Sequence, residues 1–118
     1  MTFIVSMNIR GLGANPKYLA LKDIFYSARS KIILIQETMH DSQVSIAYFM
    51  KMFPSWFMVA SEARGQSGGL AVFWDLVWIK AKAYKCFAGI LISSFIRGQS
   101  LNINILNTYA PYKNISPF

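Results

Sequence analysis

The stretch Lys31-Ile32-Ile33-Leu34-Ile35-Gln36-Glu37 constrains this chain more than any other. A short, nearly continuous aliphatic run of this kind is the mark of a strand covered on both faces, so it reads as a central strand with Glu37 at its carboxyl end. Before it, Thr2 to Met7 is apolar and β-branched and runs into Asn8-Ile9-Arg10-Gly11-Leu12-Gly13, where two glycines break the strand. Asn15 reads as a side-chain cap and Pro16 as a first-turn residue. Leu21, Ile24, Phe25 and Ala28 then repeat at helical spacing, which predicts a helix from Pro16 to Ala28. From Ser42 the positions Ile46, Phe49, Met50 and Phe53 are helical again, and Pro54 ends them.

Trp56 to Ala60 reads as a further strand. Gly69 to Trp74, Val77 to Lys85, Phe87 to Ile96 and Leu101 to Thr108 read as a meander of hairpin-joined strands. Two strand–helix–strand units followed by a meander predict an α+β or α/β fold, a mixed sheet with two helices on one face and no cover in the sequence for the other. Exposed in that way, the sheet would favour self-association.

At 118 residues the chain is one domain or part of one. Apolar residues make up 54% and charged residues 14%, a balance that excludes an unfolded tail. The single Cys86 excludes a disulfide scaffold or a thiolate metal cluster and reads as a small core residue. The longest strongly apolar stretch, Cys86 to Ile96, is eleven residues, against the roughly 20 that span a bilayer, and Met1 to Asn8 has no secretory pattern. The expected location is intracellular, nucleus or cytoplasm, with no membrane partner. The net charge of +7 suits a polyanion, and Arg10, Lys17, Arg64, Lys80, Lys82 and Lys85 are the candidates to line it. The same residues equally fit ordinary solvated positions, and Lys80 and Lys82 alternate with apolar neighbours as on any half-exposed strand.

Asn8 and Glu37 close two strands that the intervening helix makes parallel, so both reach one rim of the sheet, where open α/β sheets place ligands. Asn107-Thr108-Tyr109-Ala110-Pro111-Tyr112 closes another strand at a proline. A carboxylate, an amide and a phenol on one rim are parts of a site for a hard cation and a phosphate. The same three residues also read as a solvated strand end, a turn residue and an amphipathic aromatic. The Gly65 to Gly69 loop reads as a hairpin connection, since no helix follows it to make an anion site. His40 reads as a loop residue.

Taken in order, Asn8-Ile9-Arg10-Gly11-Leu12, Gln36-Glu37-Thr38, Ala63-Arg64-Gly65-Gln66-Ser67-Gly68-Gly69-Leu70-Ala71 with Trp74 behind it, and Asn107-Thr108-Tyr109-Ala110-Pro111 resemble the endonuclease/exonuclease/phosphatase superfamily. The wording is most similar to the endonuclease domain of plant LINE-type retrotransposons. That domain is a four-layer sandwich of two similar halves, and the resemblance covers the first half only. A Gly-Asp-x-Asn and a terminal Ser-Asp-His motif belong to the second. Asp75 is the last acid in this chain and His40 its only histidine.

The resemblance implies a Mg²⁺-dependent DNA endonuclease, with Mn²⁺ as a substitute. Glu37 corresponds to the metal-binding glutamate, Asn8 to the asparagine beside it, and Tyr109 to the tyrosine that contacts the scissile phosphate. Met39 stands where a lysine is common, and Arg10 and Arg64, among the cations named above for their charge, are the candidates to face the DNA backbone. Because the residues that position water belong to the second half, the expectation is a chain with little or no cleavage activity. A non-catalytic basic nucleic-acid-binding module, or a remnant that pairs with a second polypeptide, are the readings from other classes.

Overall fold

The computed structural model describes residues 2–63 and 68–109. Seven strands and two helices follow in the order β1 (Ile4–Asn8), α1 (Asn15–Ala28), β2 (Ile32–Gln36), α2 (Ser42–Met52), β3 (Phe57–Ser61), β4 (Leu70–Trp74), β5 (Ile79–Cys86), β6 (Gly89–Ile96) and β7 (Asn102–Thr108).

The strands make two sheets. The larger has the order β1-β2-β4-β3, with β1 parallel to β2 and β4 antiparallel to both of its neighbours. Alternation along these strands sends Ile33, Ile35, Ala60, Ala71 and Phe73 to one face, where Leu21 and Phe25 of α1 and Phe49 and Met52 of α2 cover them. Ile32, Leu34, Leu70, Val72 and Trp74 face the other way.

That second face is covered, contrary to the sequence expectation. β5, β6 and β7 form a separate antiparallel sheet, and their inward residues Ile79, Ile90 and Ile92 pack against Ile32, Leu34, Leu70, Val72 and Trp74. The chain therefore has three layers: helices, a mixed sheet, and a three-stranded meander. The cause is local. Asp75 accepts from Val77 N at 2.9 Å through its side chain and from Trp78 N and Ile79 N through its carbonyl, folding the chain out of the first sheet after β4. β4 belongs to the first sheet because all five of its residues are buried, whereas β5 alternates inward Ile79, Ala81 and Ala83 with exposed lysines.

Two smaller expectations also give way. The cap of α1 is Ala14 with no side-chain hydrogen bond, so Asn15 is already the first helical residue, and Pro16 occupies a first-turn site where no N–H is required. Cys86 is exposed, not in the core, because it shares the outward phase of β5 with Lys80, Lys82 and Tyr84. α2 has a side-chain cap that the pattern from Ser42 did not include: Asp41 accepts from Val44 N at 2.8 Å.

The sheets are joined at one end by a buried amide. Asn107 of β7 donates through Nδ2 to Ile35 O at 3.1 Å and Ala71 O at 3.0 Å, and its Oδ1 accepts from Gln36 Nε2 at 2.9 Å. Only 2% of Asn107 is exposed, so these bonds satisfy groups that water cannot reach.

Candidate functional site

The register Asn8–Gln36–Leu70–Ser61 aligns one end of all four strands of the larger sheet into a rim. Backbone pairing continues past that end through irregular residues. Gly11 N donates to Glu37 O at 2.6 Å and Leu12 N to Thr38 O at 3.2 Å; on the other side Thr38 N donates to Gly69 O at 3.3 Å and Met39 N to Gly68 O. The segment 37–39 is thus clasped between the loop after β1 and the segment before β4.

The clasp requires unusual backbone. Arg10, Glu37 and Met39 all have φ between 53° and 61°, a region that non-glycine residues seldom occupy and that collects at functional sites. Gly68 lies so close that an added Cβ would stand 2.9 Å from Glu37 Cα and 2.7 Å from Met39 Sδ, and Gly69 has φ +85°. The paired glycines of the Ser67-Gly68-Gly69 motif therefore serve the Glu37 turn. Sequence reading found the motif and not its use.

On this rim the Asn8 side chain donates from Nδ2 to Glu37 Oε2, while its Oδ1 accepts from Arg10 N at 3.1 Å. The amide is held by both contacts, and it fixes one carboxylate oxygen. Glu37 is half-buried, and Asn8 and Arg10 are exposed.

Tyr109 stands at the same end but at another strand. Its hydroxyl donates to Glu62 O at 3.0 Å, one residue past β3, and its N donates to Ala88 O at 3.1 Å. Between β2 and β3 lies β4, so at the usual spacing of about 4.8 Å per strand the phenol is set roughly 10 Å across the rim from the Glu37 strand. Tyr109 lines a cleft of about 570 Å³ with Ser61, Glu62, Lys85, Cys86 and Phe87, and neither Asn8 nor Glu37 belongs to that lining. The structure thus brings Asn8, Glu37 and Arg10 together and places Tyr109 on the far side of the same rim.

Of the other cationic candidates, Lys17 does not face outward. Its Nζ donates to Ile9 O at 2.5 Å and Gly11 O at 2.6 Å, which ties down the loop after β1. Lys80 and Lys82 are on the outer face of the smaller sheet. Lys85 is beside Tyr109 in the cleft. His40 is exposed in the loop between β2 and α2. Arg64 and the Gly65 to Ser67 part of its loop lie outside the described residues, as do Ala110 and Pro111.

Among the described residues no three His, Cys, Asp or Glu side chains converge as a metal cage. A single carboxylate with one oxygen fixed by an amide fits a hard cation that keeps most of its ligands as water or phosphate oxygens, which is the habit of Mg²⁺. No helix among the described residues is long and apolar enough to cross a membrane.

No family model matches the sequence, and no curated protein matches it. Solved structures do match by shape. One is TDP2 of D. rerio humanized by 14 mutations, with a TM-score of 0.62 and 16% identity over 86% of this chain and 44% of that one. Another is the AP endonuclease LMAP of Leishmania major, with a TM-score of 0.60 and 14% identity over 89% of this chain and 38% of that one. This chain spans less than half the length of either. Helices on a mixed sheet that packs on an antiparallel one, over nearly the whole of the chain, give it the fold of the matched part of those two structures.

Proposed function

We propose that this chain is the first half of a divalent-metal-dependent, phosphodiester-cleaving DNA endonuclease domain, that it derives from a LINE-type retroelement of the plant group, and that it does not cleave DNA by itself. The observation that carries the reading is the Asn8–Glu37 pair, an amide fixing a carboxylate at the end of two parallel strands. That one structural neighbour, LMAP, is an AP endonuclease supports it, as does the order of the four sequence motifs. Those neighbours extend over more than twice the matched length, which agrees with half a domain.

In this reading Glu37 is the protein ligand of a Mg²⁺, or a Mn²⁺ in its place, and Asn8 orients the carboxylate. The metal, when bound, neutralises charge that develops on a phosphate. Tyr109 faces that phosphate from across the rim, and Arg10 and Arg64 contact the flanking DNA backbone. In-line attack also requires a group that orients water, and the motifs that resemble such groups belong to the half not encoded in these 118 residues. Loss of members of a cooperating catalytic set costs orders of magnitude in rate. The cellular site that follows is the nucleus or cytoplasm.

The test is a nicking assay on supercoiled plasmid with Mg²⁺, comparing the chain with Glu37→Ala. Equal, background nicking is expected. Metal-dependent nicking that the substitution removes would show that the chain holds a complete catalytic set.

A further inference from the structure

The end of the larger sheet opposite the Asn8–Glu37 rim holds a cavity of about 510 Å³, lined by the end of α1 and by residues that follow α2 and β4. The five residues of β2 set it about 16 Å from the rim. Three of its rings form a ladder: Tyr26 stacks on Phe53 with centroids 4.8 Å apart, and Phe53 on Trp56 at 4.3 Å. The Tyr26 ring is held by its hydroxyl, which donates to Met52 O at 2.9 Å. A fourth ring, Trp78, is 44% exposed and has Lys31 Nζ 5.0 Å from its centroid.

The polar part of this lining is not fully committed. Ser30 is only 4% exposed, and its buried hydroxyl makes no hydrogen bond among the described residues. A buried hydroxyl left unpaired is a cost that a bound partner removes. The Arg29 guanidinium is exposed and makes no ion pair, hydrogen bond or ring contact among the described residues. Lys31 and Asp75 are engaged with each other, Nζ to Oδ2 at 3.8 Å, and Asp75 Oδ1 accepts from Val77 N. The last carbonyls of α1 are met as well, Phe25 O by Ser30 N and Tyr26 O by Arg29 N. An unmatched positive charge and an unmatched hydroxyl therefore stand beside flat rings.

Ring clusters attract flat aromatic bodies or cations. Here the chain supplies the cation itself, in Lys31 beside Trp78, and a ligand cation would meet Arg29 too. We propose that this cavity binds a small planar aromatic anion, its ring against the indoles of Trp56 and Trp78 and its phosphate or carboxylate on the Arg29 fork and the Ser30 hydroxyl. The volume lies within the roughly 300–1,000 Å³ of pockets that take small ligands. The inference rests on this end of the fold alone and stands whether or not the opposite rim is a nuclease remnant.

The test titrates the ¹⁵N-labelled full chain with adenosine 5′-monophosphate and, separately, with indole-3-acetate, reading the indole N–H signals of Trp56, Trp74 and Trp78. Trp56 and Trp78 should shift and saturate with a Kd of about 1 mM or tighter, while the buried Trp74, which is not in the lining, stays in place. Saturation by either anion supports the site, and the tighter of the two identifies phosphate or carboxylate as the group it takes. Adenosine, which lacks the charge, and ribose 5-phosphate, which lacks the ring, should each bind at least about tenfold more weakly than the monophosphate. Arg29→Gln should abolish the advantage of the monophosphate over adenosine and leave adenosine binding unchanged, a selective loss that misfolding cannot mimic. Ser30→Ala should weaken the anions about fivefold without lowering the Tm, since it removes a hydroxyl that has no partner in the free chain. Failure of both anions to shift Trp56 and Trp78 overturns the proposal. So does equal affinity for adenosine and its monophosphate, or a response centred on the amides of Asn8 and Glu37.

Discussion

The Asn8 amide donates to the Glu37 carboxylate although the two are separated by a whole helix and a strand. Parallel pairing of β1 with β2 makes this possible, since both strands then end on the same side, with Asn8 opposite Gln36. The turn at Glu37 is held by its neighbours, and each neighbour gives a test.

Gly68→Ala should destabilise the chain through contact alone. Its added methyl meets Glu37 Cα at 2.9 Å, backbone that cannot swing aside. The expected loss is about 1–3 kcal/mol, the range for overpacking. Gly98→Ala is the comparison: Gly98 has φ +81° with nothing within 4 Å of the added atom, so only the backbone term of about 1–2 kcal/mol applies. Urea denaturation of both variants measures the losses, and only Gly68→Ala should disturb the amide resonances of Glu37 and Met39.

Asn107→Leu should cost more. It leaves Ile35 O, Ala71 O and Gln36 Nε2 without the partners they have now, two of them in a buried contact. Each buried group left unpaired costs about 1–3 kcal/mol. Asn107→Asp should be at least as harmful, since a carboxylate cannot donate to the two carbonyls and would be a buried charge. Thermal unfolding of the two variants checks the order.

How far this was legible in the sequence depended on the range of the interaction that decides each feature. The aliphatic run of β2, the helical spacing of Leu21 and Phe25, and Pro54 after α2 are local signals, and the elements formed where those signals lie. The common rim of Asn8 and Glu37 also followed from a short rule, that a strand, a helix and a strand return parallel. The second sheet did not. β4 could have begun the meander; a buried strand and the Asp75 turn make it the partner of β2 and β3. Cys86 was misplaced for a related reason: its phase depends on which face of β5 finds a partner. The positive φ of Glu37, and the use of Gly68 against it, arise from contacts between segments thirty residues apart, on which the local pattern is silent.

Alkaline stability should depend on Tyr48. Burial pushes its phenol above the ordinary tyrosine value of about 10, the backbone of Gly13 partly offsets this, and the Tyr18 phenol adds to it. A raised folded value means the folded state holds the proton longer than the unfolded one. The contribution is therefore complete below pH about 10 and is lost as pH rises through the folded value. Urea midpoints measured from pH 8 to 11 should fall more steeply for the native chain than for Tyr48→Phe, with lysine titration common to both.

The most direct measurement on the Asn8–Glu37 site is its response to a paramagnetic ion. In a ¹⁵N-labelled sample of the 118-residue chain, substoichiometric Mn²⁺ should broaden the amide signals of Asn8, Arg10, Glu37 and Thr38 before others, with Mg²⁺ in excess reversing it. Glu37→Ala should abolish that broadening and leave the remaining spectrum in place. Broadening centred on another part of the molecule, or unchanged by Glu37→Ala, would contradict the assignment of this rim as a metal site.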